Sequence, residues 1–153
     1  MIEEPGRRIV AEELAGDGKA LPWVDAEAFL RRAIALSLED LERASALPGP
    51  VFFDRGLLDA ASGLGEMTGE PVLQSFADAW RFNHTVFLTP PWPEIYRQDT
   101  ERQHGLEAAM EEYERLLRDY PALGYKVVEL PKIPVGERAD FVVDRLEREG
   151  LTS

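Results

Sequence analysis

Short apolar runs alternate with segments of helical period, and no feature of this chain narrows the choice of fold more. The runs are Val51-Phe52-Phe53, Thr85-Val86-Phe87-Leu88 and Lys126-Val127-Val128-Glu129-Leu130. Strands that alternate with helical segments define an α/β domain with a mostly parallel sheet. Short continuous apolar strands suit a sheet covered by helices on both faces.

The helical segments are marked by their stop signals. The first is expected from Pro5 to Leu14, ending at Gly16, with Gly16–Trp23 as a loop. Asp25 then caps a long helix whose apolar stripe is Leu30, Ile34, Leu38 and Leu41. Pro48-Gly49-Pro50 stops it and launches the strand at Val51–Phe53. One or two helices follow between Leu57 and Trp80, broken near Gly69-Glu70-Pro71. After the second strand, closed by Thr89-Pro90-Pro91, Asp99 caps a helix with Leu106, Met110, Tyr113, Leu117 and Tyr120 on one face. Its other face carries Glu107, Glu111, Glu114, Arg115 and Arg118, and Pro121 and Gly124 are expected to end it. A final helix over Pro134–Arg148 should turn Val135, Ala139, Val142 and Leu146 inward. No internal repeat or low-complexity linker interrupts the order, so residues 1–153 read as a single domain with a lid-like segment at about 91–120.

Composition excludes several functions. The chain has no cysteine, so disulfides, thiolate nucleophiles and cysteine-ligated metals are out of reach. No apolar run approaches the ~20 residues that span a bilayer, and the acidic opening is unlike a signal peptide, which points to a cytoplasmic location. The formal charge of −12, from 17 basic and 29 acidic residues, opposes binding to long polyanions. It does not oppose a single nucleotide, which needs only a few local arginines.

Three clusters have residue types suited to chemistry. Asp54 and Arg55 fall at the end of the first apolar run, where ligands bind in open parallel sheets. An acid there can hold Mg²⁺, and an adjacent arginine can stabilise charge on a transferring phosphoryl group. The plain alternative is that Asp54 caps the helix starting near Gly56. In Glu3-Glu4-Pro5-Gly6-Arg7-Arg8, Met1-Ile2 has the look of a strand stub, which puts Glu4 at a strand tip and Arg7 in the first helical turn. A tip carboxylate can act as general base toward a substrate hydroxyl, or simply complement a helix dipole. Arg97 and Arg102, five apart after a strand, have the pattern of a lid that closes over phosphates, or of ordinary surface ion pairs. His84 and His104 lack metal-ligand spacing, and the serines lack the G-x-S-x-G elbow of a hydrolase.

Taken together these segments resemble the small AAA-domain ATPases related to the nicotinamide riboside kinase type of P-loop protein. The resemblance rests on Glu4-Pro5-Gly6-Arg7-Arg8-Ile9-Val10, Ala20-Leu21-Pro22-Trp23, Val51-Phe52-Phe53-Asp54-Arg55-Gly56 and Val86-Phe87-Leu88-Thr89-Pro90-Pro91-Trp92-Pro93-Glu94-Ile95-Tyr96. Asp99-Thr100-Glu101-Arg102 and Leu123-Gly124-Tyr125-Lys126-Val127-Val128-Glu129-Leu130-Pro131 extend it over nearly the whole chain. It implies a three-layer P-loop-kinase-like fold, a parallel sheet flanked by helices, with ATP and Mg²⁺ at the strand tips. It further implies that Glu4 orients or deprotonates an acceptor, that Asp54 organises the metal, and that Arg55, Arg97 and Arg102 neutralise phosphoryl oxygens.

The departure is in the phosphate loop. No G-x-x-x-x-G-K-[ST] occurs, and Gly16-Asp17-Gly18-Lys19-Ala20 fails on spacing and follows no strand. The expectation is a domain without its first strand and phosphate-binding loop, either because Met1 is an internal start or because the loop was lost in evolution. The function expected is that of an ATP-binding ATPase or small-molecule phosphotransferase, with nucleotide and acceptor as partners. The alternative is a non-catalytic acidic module that binds a protein or a small ligand.

Overall fold

The computed structural model describes residues 1–92 and 100–150, the side chains of residues 100–104 excepted. The chain divides into two compact units, Met1–Arg81 and the part from Phe82 onward.

The first unit is helical, with one parallel bridge between Ile2 and Phe53. Its helices are α1 (Pro5–Ala15), α2 (Ala26–Ala44), α3 (Leu57–Thr68) and α4 (Val72–Ala79). Pro5 starts α1 because its fixed φ suits the first helical position and its missing N–H would be unpaired there anyway. Asp25 caps α2 as expected, its carboxylate accepting from Ala28 N–H at 3.0 Å. Gly69, at φ 76°, closes α3 in the left-handed conformation that glycine adopts without penalty, and the break at 69–71 separates α3 from α4. The core of this unit is α3, whose Leu57, Leu58, Ala61 and Leu64 are buried together with Ile9 of α1 and Ala77 of α4.

Of the apolar stripe expected on α2, Ile34 is buried, and small and charged residues beside it complete the buried face. Ala33, Ile34, Ser37, Asp40 and Ala44 are buried, while Leu30, Leu38 and Leu41 are only half-buried. Small residues let α1 and α3 come close on that face, and an ion pair makes burial of Asp40 tolerable. Arg8 of α1 bonds both oxygens of Asp40, the Oδ1 bond at 3.3 Å, and Arg43 adds a bond of 2.8 Å. A carboxylate removed from water needs such partners, since its desolvation costs several kcal/mol. A periodicity count of large apolar residues finds Ile34 but misses the small residues and the paired aspartate on this face.

The second unit is β1 (Thr85–Leu88), α5 (Thr100–Ala122), β2 (Lys126–Glu129) and α6 (Val135–Arg148). The two strands are parallel, in the register Thr85↔Lys126 through Leu88↔Glu129, with α5 as the crossover that parallel pairing requires. Both fall on the runs expected from the sequence. The first unit differs: the Val51–Phe53 run forms only the single bridge to Ile2. Pro5 starts α1 three residues after Ile2, which leaves no length for a longer ladder.

Pro121 does not stop α5; it sits inside the last turn, which runs on to Ala122. The stop is a Schellman motif. Gly124 lies at φ 91° and donates to Pro121 O at 3.0 Å, and Tyr125 N–H donates to Tyr120 O at 3.1 Å. The accompanying apolar contact is aromatic: the rings of Tyr120 and Tyr125 meet edge to face, 5.7 Å apart. The Asp99 cap proposed for α5 lies outside the described residues, and Met110, expected on its inner face, is exposed. In α6, Val135 and Ala139 are exposed and Val142 half-buried, leaving Leu146 alone of the expected four buried. At the C-terminal end of α6 the C-cap residue Glu149 accepts from Thr85 Oγ1 at 2.8 Å. Among the described residues no helix is long and apolar enough to cross a membrane.

Candidate functional site

The bridge between Ile2 and Phe53 builds the site. Ile2 N–H donates to Phe52 O at 2.6 Å, and Ile2 O accepts from Asp54 N–H at 3.0 Å. Because the pairing is parallel, both segments leave it in the same direction. Glu4 and Asp54-Arg55 therefore emerge at one end, as ligand-binding residues do at the carboxyl ends of parallel strands.

Each segment turns at once into a helix, and neither acid serves as that helix's cap. Glu4 is the N-cap residue of α1, yet its carboxylate makes no capping bond. Gly56, not Asp54, is the N-cap residue of α3, again without a side-chain bond. The plain reading of Asp54 as a helix cap is not met. Its side chain is exposed, and among the described residues it has no ion-pair partner.

Glu4 instead faces two arginines. Its Oε2 lies 3.3 Å from Arg7 Nε, and its Oε1 lies 3.7 Å from Arg55 Nε. The carboxylate is three-quarters buried, at 25% exposure, whereas Arg7 and Arg55 are 77% and 51% exposed. Gly6 packs closely against this group: a Cβ there would lie 3.1 Å from Glu4 Oε1 and 3.1 Å from the Phe29 ring.

Arg55 holds a left-handed backbone, φ 58°, as the one non-glycine residue with positive φ among those described. That conformation costs a residue with a side chain ~1–2 kcal/mol, and such outliers gather at functional sites. Here it swings the chain from the bridge into α3 and sends the Arg55 side chain back toward Glu4.

Three of the five candidate residues are thus together: Glu4, Asp54 and Arg55. Arg97 lies outside the described residues, and Arg102 belongs to α5 with its side chain outside the description. Arg7 was assigned no role from sequence, although its i, i+3 spacing from Glu4 is the available signal. In the second unit, Tyr113 donates its phenolic hydrogen to Glu129. Burial, then that bond and the Glu129 charge, push the Tyr113 phenol well above its ordinary value, so it stays a donor.

Mg²⁺ requires oxygen donors and keeps several waters, with few protein ligands. A single exposed carboxylate at a strand tip fits that demand, and among the described residues no cluster of three or more acids or histidines offers a fuller cage. Nucleotide phosphates are matched less completely. Arginine supplies charge and N–H donors, while the string G-x-x-x-x-G-K-[ST] does not occur in residues 1–153.

A family model for an AAA domain matches residues 1–138, a span that runs through both units. The chain belongs to that family, whose domains are nucleotide-binding P-loop NTPases, and its mixed α/β elements with a small parallel sheet are consistent with such a fold. No curated protein and no solved structure matches it.

Proposed function

We propose that the Glu4–Asp54–Arg55 end is the metal- and acceptor-side part of a nucleotide site, in an ATPase or small-molecule phosphotransferase with a three-layer P-loop-kinase-like arrangement. The observation that supports it most is the parallel Ile2–Phe53 pairing, which brings both acids and an arginine to one strand end while leaving neither acid to cap a helix.

Each residue has a role its surroundings suit. Asp54, exposed and without an ion-pair partner among the described residues, is the oxygen donor for Mg²⁺, directly or through water. Arg55, aimed by its strained backbone, neutralises phosphoryl oxygen. Glu4 positions an acceptor hydroxyl or takes its proton. Arg97 and Arg102 complete the charge on the lid-like segment at 91–120. Bound Mg²⁺ supplies electrostatic stabilisation of the phosphoryl oxygens.

Titration of the chain with Mg²⁺·ATP, followed by backbone amide NMR, tests the reading. Shifts should concentrate at Glu4–Arg7 and Asp54–Gly56, and Asp54→Asn should remove the difference between ATP with and without Mg²⁺. In a protein that carries the phosphate loop, Asp54→Asn should cut turnover far more than ATP affinity. Perturbations that avoid this end, or wild-type turnover in Asp54→Asn, would overturn the assignment.

A further inference from the structure

We propose that the turn Leu21-Pro22-Trp23-Val24 is a docking surface for a protein partner, through a segment in which basic side chains flank an apolar one. The inference stands apart from the nucleotide-site reading and rests on how this turn is built and what surrounds it.

Tryptophan is highly buried on average, yet Trp23 is 68% exposed and its neighbour Val24 62%. A single exposed apolar side chain is ordinary; here two successive ones are held out by an ordered backbone. Val24 N–H donates to Leu21 O at 2.9 Å, which closes a β-turn with Pro22 and Trp23 at its centre. Pro22 pre-sets the φ that the second position of such a turn requires. The same Leu21 carbonyl accepts from Asp25 N–H at 2.9 Å, and Asp25 caps α2, so the turn leads straight into that helix. On the other side Ala20 N–H donates to Glu13 Oε2 at 3.3 Å, and the Glu13 carboxylate is itself held by Arg32. Leu21 is the inward anchor, at 7% exposure. The turn thus buries its leucine and presents its tryptophan and valine. An aromatic side chain shown on a pre-ordered backbone loses little freedom on binding, and tryptophan is among the residues that dominate the energy of protein interfaces.

The charge around the turn selects the occupant. Residues 12–27 include five acids, Glu12, Glu13, Asp17, Asp25 and Glu27, against the single base Lys19. Arg31 and Arg32 reach back to Glu27, Glu12 and Glu13 and still leave acid in excess. Asp17 and Asp25, one on each side of the turn in sequence, are exposed. A basic side chain can meet those carboxylates or sit on the indole face, which attracts cations. A second copy would bring the same acidic loop, and a charge of −12, against its like. Anionic membranes and nucleic acid are disfavoured by the same sign.

The test uses the whole chain and short fluorescein-labelled peptides of Lys and Leu, of Lys and Ser, and of Glu and Leu, with anisotropy as the readout. The Lys–Leu peptide should bind with a Kd on the order of 10–100 μM, the Lys–Ser peptide about 5-fold or more weakly, and the Glu–Leu peptide not measurably. Trp23→Ser should weaken the Lys–Leu peptide by about 5-fold or more, and Val24→Ser by about 2-fold or more. Val135→Ser removes a side chain of the second unit that is 71% exposed, and should change affinity by less than about 2-fold. Asp17→Asn with Glu27→Gln should weaken binding by about 3-fold more than Glu107→Gln with Glu111→Gln, a pair of exposed acids on α5. Circular dichroism verifies the fold of each variant.

Equal losses in Trp23→Ser and Val135→Ser, or in the two pairs of acid substitutions, would mean that a cationic peptide merely coats an acidic protein, and would sink the docking surface. So would a Lys–Leu peptide that does not bind. Sedimentation that shows a wild-type dimer dissolved by Trp23→Ser would assign the turn to a second copy. Binding to neutral phosphatidylcholine vesicles that Trp23→Ser abolishes would assign it to a lipid surface. Either result overturns the basic partner.

Discussion

Arg55 holds the most informative backbone in the site. Its φ of 58° is a conformation that suits glycine, yet the residue here is an arginine whose side chain meets Glu4. Replacing it separates backbone from side chain. Arg55→Gly relieves the left-handed strain but enlarges the entropy of the unfolded chain; Arg55→Ala keeps the strain and loses the same charge. Arg55→Gly should therefore be more stable than Arg55→Ala by ~0.5–1 kcal/mol in urea unfolding. Equal stabilities would show that the turn relaxes freely and that the strain serves no purpose. Asp40 is the counter-example at this scale: a carboxylate buried at 4% side-chain exposure and fully engaged by Arg8 and Arg43 is a structural ion pair, well removed from any ligand role.

Among the elements, the helix ends repay attention because their chemistry is local. Asp25 at the start of α2 and Gly124 at the end of α5 each satisfy backbone groups that the helix cannot pair itself. Asp25→Ala should cost about 1 kcal/mol, and Gly124→Ala about as much, because alanine resists the φ of 91°. Denaturant midpoints that do not move for Gly124→Ala would show that the Schellman turn is replaceable, despite the Tyr120–Tyr125 ring contact that seals it. Helix faces were harder to foresee than helix ends. The apolar stripe expected on α2 found Ile34 but not Ala33, Ser37, Asp40 and Ala44, since small residues and a paired aspartate complete the face that meets α1 and α3. In α6 the apolar period was real, but Leu146 is buried while Val135 is 71% exposed.

For the whole molecule, charge and the missing loop motif set the expected binding. With a formal charge of −12 and no G-x-x-x-x-G-K-[ST], residues 1–153 have a local pair of arginines as their resource for phosphate at the site described. ATP–Mg²⁺ should bind the wild-type chain with a Kd on the order of a millimolar, about −4 kcal/mol. Short single-stranded DNA should show no saturable binding in fluorescence anisotropy at physiological salt, since such affinity comes chiefly from basic residues neutralising phosphates. Micromolar ATP affinity in calorimetry would mean that the phosphate site is built from residues other than those assigned.

What could be read from the sequence follows from how locally each feature is encoded. The strands at 85–88 and 126–129, the cap at Asp25 and the breaks at Gly69 and Gly124 depend on residues within one turn of themselves, so short-range pattern was enough. The strand expected at Val51–Phe53 before Asp54 and Arg55 is instead a single bridge to Ile2, a partner that local pattern does not reveal. The pairing of Glu4 with Arg55 was not legible either, because it joins segments about fifty residues apart through one bridge between Ile2 and Phe53. Nor could sequence say that Asp54 leaves the cap of α3 to Gly56, or that Gly6 lies against the Glu4 carboxylate and the Phe29 ring. Those outcomes depend on distances between side chains that are remote or folded back on themselves, and such distances exist only once the chain has packed.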